Sequence, residues 1–261
     1  MNSIRAARIV ITAGTATLVT AAAAPAADAP GPTATLKASV SPSHLVGGPY
    51  SPNHGMPIKL SYAATIHHPA GSTYELTRVS VKLPGGVVDR TNGDLFPSCS
   101  AAKLRAARGN LHACPPGSKI GSGVAVGTAV NIGVTSTGTL TLFNGPGGHS
   151  IVFNINITTP ALINDSLDAP LVKTHGKYGY VLTHVIPSNL QTILDGPIIV
   201  RRISVTTFAT RIVHGVKRGY IEAFRCPKSR KEPVHSDFSF TQGVAPFATA
   251  TTSADTNITC H

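Results

Sequence analysis

Ser100 and Lys103, in the run Ser-Ala-Ala-Lys, come nearest to a catalytic pattern in this chain. A helix sets residues three apart on one side, so the lysine could take the proton of a serine nucleophile, as the SxxK pair of penicillin-binding enzymes does. That chemistry needs companions the chain lacks: there is no SDN, and Lys173, Thr174 and His175 do not make the KTG triplet. Ser100 also has a simpler role, as N-cap of the basic run that follows. No GxSxG elbow and no HExxH occur, which removes the usual serine esterase and the usual zinc protease. The 11 histidines are scattered. His67 and His68 are adjacent and point to opposite sides of a strand, and His112 loses its neighbour as a ligand once Cys114 is oxidised. No metal site and no cofactor are expected. Asp165, Asp168 and Asp195 are the candidates for a general acid and base, but aspartates are ordinary turn residues. The glycines at 117–127 and 145–148 match neither GxGxxG nor GK[ST], and turns between strands account for them.

Charge is the stronger signal. Lys and Arg number 22 against 11 Asp and Glu, a formal net charge of +11, and the excess is concentrated. Residues 201–231 hold Arg201, Arg202, Arg211, Lys217, Arg218, Arg225, Lys228, Arg230 and Lys231 against Glu222 alone. Such a field favours polyanions: wall phosphates, acidic glycans or anionic lipid. Arg201, Arg202, Lys217, Arg218, Arg225, Lys228, Arg230 and Lys231 are the expected contacts. A solvated basic surface that only aids solubility is the plainer alternative. Aromatic residues argue against two partners. Tryptophan is absent, and the basic stretch interleaves only Phe208, Tyr220 and Phe224, too little stacking surface for specific nucleic-acid binding. A sugar-binding face would have to rely on Tyr50, Tyr178, Tyr180 and Tyr220.

These residues need a scaffold, and its first part is a leader. Arg5 and Arg8 precede the uncharged run Ile9–Ala24, and Ala24 and Ala26 satisfy the small-x-small rule, so residues 1–26 read as a secretory signal peptide and 27–34 as a flexible leader. No later run is apolar for long enough to be a spanning helix. Four cysteines in an exported chain, Cys99, Cys114, Cys226 and Cys260, allow three pairings. Sequence proximity favours Cys99 with Cys114 and Cys226 with Cys260, bonds that would stabilise the fold by about 3 and about 4 kcal/mol on the loop-entropy estimate. The absence of CxxC spacing argues against zinc. Between Cys99 and Cys114, Ala101–Arg108 is predicted to be a short helix that ends at Gly109 and Asn110.

The remainder alternates with a period of two. Leu36, Ala38 and Val40 mark a first strand; Ile58, Leu60, Tyr62, Ala64 and Ile66 a second; Thr77, Val79, Val81 and Leu83 a third; Ile151, Phe153, Ile155 and Ile157 the clearest of all. Tyr178, Tyr180, Leu182, His184 and Ile186 continue the pattern, and between Ile198 and Val213 the apolar residues change face, which predicts a bend or bulge. Short strands, Gly/Pro turns and one helix describe an all-β antiparallel sandwich, Ig-like or jelly-roll-like, over 35–261, with a split into two halves near 137 as the alternative. Asn156, Asn164 and Asn257 begin N-x-[ST] sequons.

The segment CPPGSKIGSG, with a cysteine some fifteen residues before it and strands ending in GPGG and HVIP after it, resembles a group of exported β-rich proteins of high-GC Gram-positive bacteria with no assigned activity. The likeness covers roughly residues 58–240. It implies export and a Cys99–Cys114 bond, and it implies no chemistry. The expectation is therefore an exported, non-enzymatic binding or structural module, extracellular or wall-associated, whose partner is an anionic wall polymer or glycan. The alternative is a secreted hydrolase with a non-standard site on the Gly- and Pro-rich loop 41–57, using His54 and His68.

Overall fold

A computed structural model of the protein describes residues 30–44, 55–85, 90–224, 226–245 and 247–261. Residues 1–29, which hold the expected signal peptide and most of the expected leader, residues 45–54 with Tyr50 and His54, and Arg225 lie outside the described residues.

Sixteen strands form among the described residues, those marked by period-two alternation among them, together with 90–91, 163–173 and 192–193, which carry no such signal. They are β1 (Thr33–Ser41), β2 (Met56–His67), β3 (Tyr74–Pro84), β4 (Arg90–Thr91), β5 (Lys119–Ala129), β6 (Val134–Asn144), β7 (Ser150–Ile157), β8 (Ile163–Lys173), β9 (Tyr178–Val185), β10 (Thr192–Ile193), β11 (Gly196–Thr207), β12 (Thr210–Val213), β13 (Val216–Gly219), β14 (Ile221–Ala223), β15 (Lys231–Gln242) and β16 (Thr249–Thr259). All pairings are antiparallel. Read around the main sheet, the order is β1-β2-β11-β5-β6-β7-β8-β9-β3-β15-β16. β16 then lies alongside β1.

The expected two stacked sheets are thus replaced by one sheet that returns to its own edge as a nearly closed barrel. The alternating burial expected of a sandwich strand is the same in a barrel wall, where inward and outward residues also alternate. Curvature decides between them. The sheet bends at bulges between Val200 and Arg202 in β11, Lys119 and Gly121 in β5, and Leu83 and Pro84 in β3. At Gly121 and Gly123 a Cβ would stand 2.4 and 2.2 Å from the carbonyl oxygens of Thr206 and Ser204, so only glycine lets β11 coil this closely over β5. Residues 136–138 lie inside β6, not between two domains.

Closure is incomplete at one seam. Antiparallel alternation around the ring leaves β1 and β16 pointing the same way, and no ladder joins these two strands. They meet through side chains, and at one end His261 N–H donates to Ser43 O (2.8 Å). From inside, the hydroxyls of Tyr62 on β2 and Ser236 on β15 share a 3.0 Å hydrogen bond that spans the seam, and burial pushes the Tyr62 phenol up to about 12.

Alternation also sorts the loops. One end of the barrel, here the lower, carries the starts of β2, β5, β7, β9 and β15 with the longest connections. The short helix α1 (Ala101–Ala106) lies there, capped as expected by Ser100, whose Oγ accepts from Lys103 N–H (3.2 Å), and finished by Gly109 at φ +73°. The Cys99–Cys114 bond and Leu104 pack with Phe143 and Val152 on the outside of β6 and β7. Cys226 is bonded to Cys260, so both expected disulfides are present. Among the described residues no helix is long and apolar enough to cross a membrane.

The lower end is closed by a buried ionic knot. Arg218 gives Nε to Glu222 Oε1 (2.7 Å) and Nη2 to Oε2 (3.0 Å), while Gly219 N–H and Gly55 N–H also donate to the carboxylate. Asn92 accepts from Arg218 Nη2 and donates to Gly219 O. Burial alone would raise the Glu222 carboxyl, but the Arg218 guanidinium, Asn92 and the two backbone donors overcome it and hold the carboxyl below its ordinary value. Removing one partner of such a pair leaves a buried charge bare, so Glu222→Ala is expected to lower stability by about 3–5 kcal/mol. The double change Arg218→Met with Glu222→Leu is expected to cost much less, and urea unfolding of both variants measures the difference.

Candidate functional site

Inward residues decide what a barrel holds. On one side, Val234, Phe238 and Phe240 of β15, Ile258 of β16 and Ile66 of β2 are all at 2 % exposure or less, and the interior is filled. β3 and β11 then approach each other to within 8 Å between Cα atoms. Beyond them, the space bounded by β3, β5, β6, β7, β9 and β11 is not filled. A cavity of about 180 Å³ remains, lined by apolar side chains such as Val79, Leu140, Phe153, Leu182, Val200 and Ile203.

The reason lies in two neighbouring strands. Where the other walls present leucine, isoleucine and phenylalanine, β5 presents Ala125, Gly127 and Ala129, and β6 presents Ser136 and Gly138. Small residues at alternate positions remove side-chain volume from one wall, and the lining opposite does not collapse into the gap because hydrogen-bonded strands hold it. Burial differs between the two ends, with Leu76, Ala129, Leu190 and Ile193 the buried part of the upper lining. Lower lining residues Leu60, Leu83, Leu142, Ile151 and Ile221 are buried, whereas Ile157, Pro160, Ile186 and Ile198 near the upper end keep accessible surface. The cavity is closed below and open above.

Of the polar side chains in this lining, the hydroxyls of Tyr62, Ser136 and Thr207 are hydrogen-bonded to Ser236 Oγ, Thr159 O and Leu60 O, and His184 is left with an idle atom. His184, the penultimate residue of β9 at its upper end, rests on the Phe153 ring with centroids 4.8 Å apart, and its Nε2 is buried without a hydrogen-bond partner. Burial pushes its pKa down to about 4, so the ring is neutral at neutral pH. A neutral imidazole has one donor and one acceptor nitrogen, and a bound molecule could satisfy the idle atom.

The residues singled out in the sequence fall elsewhere. Arg201 and Arg202 are exposed on the outer wall at the β11 bulge, where Arg201 Nε donates to Thr128 Oγ1 (2.9 Å). Lys217, on the β12–β13 hairpin, Lys228 and Arg230 before β15, and Lys231 at its start are exposed near the lower end. Arg218 is the one drawn into the fold, by Glu222. The basic set therefore divides into a pair on the wall and a group below, with Arg218 committed to structure. Lys103 is exposed and Ser100 is occupied as the helix cap. Asp165 accepts from Ser166 N–H and Asn189 Nδ2, Asp168 is exposed, and Asp195 sits in a tight turn. His68 Nε2 lies 2.8 Å from Val200 O, which explains its place as a structural tie.

A second histidine has the look of acid–base machinery. His235 holds Asp255 at Nδ1 (2.9 Å) and Asp237 at Nε2 (2.8 Å), and Lys82 pairs with Asp237. Partial burial would lower its pKa, but the two carboxylates raise it. Both ring nitrogens are engaged, leaving none to serve a nucleophile, so the arrangement is a cross-strand ion cluster over β3, β15 and β16. Among the described residues no group of three or more His, Cys, Asp or Glu is placed to hold a metal ion.

No protein-family model, no curated protein and no solved structure matches the chain, so the geometry stands by itself. Period-two alternation did place His184 on an inward face. The cavity carried a signal of its own, the small residues at every second position of β5, which reads as turn-forming glycine until the strand is seen to be a barrel wall.

Because the His184 pKa is lowered on folding, the unfolded chain binds the extra proton, and stability is lost as pH falls from about 6.5 toward 4. The expected contribution is about 3 kcal/mol across that window. Chemical denaturation of wild type and His184→Phe between pH 7 and pH 4 checks it: the loss for the variant should be smaller by about that amount.

Proposed function

We propose that this is an exported, non-enzymatic binding protein that holds the apolar part of a small amphiphile inside its barrel. Export rests on the leader, the four paired cysteines and the sequence resemblance. Binding rests on one observation, an apolar cavity of about 180 Å³ that is closed below and open above. An apolar cavity of about 150 Å³ suffices for benzene, so this one suits an aryl ring or a short alkyl segment. Any longer or more polar remainder of the ligand would extend through the open end. His184 gives the site its polar point, fit for a hydroxyl, amide or carboxyl group on an otherwise apolar molecule.

Catalysis has no comparable support. The cavity lining offers one neutral histidine, and its hydroxyls, on Tyr62, Ser136 and Thr207, are engaged with Ser236 Oγ, Thr159 O and Leu60 O, whereas the hydrolase alternative depends on His54, outside the described residues, and on His68, which is tied to Val200 O. The basic-face reading fares less well than the cavity, because its residues are divided between two regions and Arg218 is buried in an ion pair.

The test is titration of the purified mature protein with a neutral fluorescent amphiphile such as N-phenyl-1-naphthylamine. Wild type is expected to take up the probe saturably at one site and to release it to competing alkyl alcohols. Ala125→Phe, which adds a ring at the small-residue wall, should abolish uptake while leaving the circular dichroism spectrum unchanged. Absence of saturable uptake by wild type, or full uptake by Ala125→Phe, would overturn the reading.

A further inference from the structure

The open end of the cavity is surrounded by large apolar side chains that face solvent. Leu162 in the β7–β8 turn is 77 % exposed, Leu194 in the β10–β11 turn 60 %, and Phe247 in the β15–β16 turn 63 %, joined by Ile132, Val185 and Val244. All six stand at the upper end. The segments AVNIGV (129–134), TTPALI (158–163), IPSNLQTILDGP (186–197) and GVAPFAT (243–249) contain one formally charged residue, Asp195, in a chain of net charge +11. Isolated exposed apolar residues need no explanation, but a cluster at the mouth of an apolar cavity does.

Backbone geometry adds an independent point. Leu194 and Asp195 form the two-residue turn between Ile193 and Gly196, with φ of +49° and +58°. Such a turn favours Asn-Gly, because both central residues must be left-handed. Phe247 also has positive φ, at +55°. The fold therefore sets a bulky apolar side chain, pointing outward, at two positions where asparagine or glycine would be the easier choice.

Below this rim lies a belt in which cations outnumber free carboxylates, since Asp237 and Asp255 at the same height are paired with Lys82 and His235. Lys37 on β1, Arg78 on β3 and Arg201 and Arg202 on β11 are exposed four to six residues from the upper ends of their strands. At about 3.3 Å per residue and a strand tilt of roughly 40°, they stand about 10–15 Å below the upper ends of the strands. Interfacial apolar groups enter a bilayer by about 5–10 Å, which brings flexible arginine and lysine heads to the phosphate level. Apolar tips above a cationic belt match one kind of partner.

We propose that the upper end of the barrel docks on a lipid bilayer carrying anionic headgroups, with Leu162, Leu194 and Phe247 inserted and Arg78, Arg201, Arg202 and Lys37 meeting the phosphates. This deepens the binding function above, since the same mouth admits the amphiphile, and docking gives the ligand an apolar route from membrane to cavity.

Flotation with phosphatidylcholine vesicles, with and without phosphatidylglycerol, tests it. Wild type should float with the anionic vesicles and weakly with the neutral ones. The combination Leu162→Ser, Leu194→Asn and Phe247→Asn, which suits the left-handed positions and should fold, is expected to weaken binding at least about tenfold. Arg201→Glu with Arg202→Glu should weaken it by a similar factor on anionic vesicles only. No flotation of wild type overturns the proposal; so does a rim variant that binds as wild type does, which would make the attraction electrostatic alone, or equal binding to both vesicle types. Ala125→Phe keeps the two readings apart: it should lose the probe and still float, so vesicle binding can fail while probe uptake stands, and the reverse.

Discussion

Eleven strands in a ring enclose more room than their inward side chains fill, and much of the structure follows from how that excess is handled. A barrel of about eight strands is near the size that side chains alone can fill. Here the approach of β3 and β11 takes up part of the excess. On the side of β15, β16, β1 and β2, phenylalanine and β-branched residues fill what remains, and on the other side the alanines and glycines of β5 and β6 leave it open. The cavity is thus a property of two adjacent strands within a wall that is otherwise conventional.

A hollow interior needs a firm floor, and the lower end supplies it by polar means as well as apolar ones. The Arg218–Glu222 pair with Asn92 ties β13, β14 and the segment before residue 93, and Asn144 Nδ2 donates to the carbonyls of Gly93 and Phe96. Phe96 and Tyr220 stack edge to face in the same region. The two disulfides fasten the helix and the chain end to this closed side. At the upper end the connections are turns with apolar tips and one longer segment, 186–195, and the mouth lies among them. Rigidity and opening are thereby separated along the barrel axis.

Much of the architecture was legible in the sequence because it depends on local rules. Alternation in β2, β3, β7 and β9 is a short-range signal, as are the Ser100 cap and Gly109 at the end of the helix, and cysteine proximity led to the right pairing. Closure was not legible. A sandwich strand and a barrel strand have the same pattern, and what distinguishes them is bulge position and the close approach of β11 to Gly121 and Gly123, which are relations between distant segments. The charge-rich stretch 201–231 was conspicuous for its composition, yet composition does not say that Arg218 turns inward to Glu222 or that Arg201 and Lys217 belong to different parts of the surface. The candidate site escaped notice for the opposite reason: it is made of absent side-chain volume, and only the inward parity of Ala125, Gly127, Ala129 and Gly138 reveals it.

The same separation explains how one basic protein can join two chemistries without conflict. Cations near the closed end, Lys217, Lys228, Arg230 and Lys231, are far along the chain's strands from the mouth and leave its apolar tips undisturbed. The belt of Lys37, Arg78, Arg201 and Arg202 is near enough to act with those tips and far enough below them to remain hydrated when they are buried. His184, uncharged at neutral pH because the cavity withholds water from it, can then meet a ligand's polar group without setting a second charge inside an apolar wall. Around the cavity, charge is kept to the outer face and the one idle hydrogen-bonding atom to a single interior point, a division that suits a hollow apolar barrel.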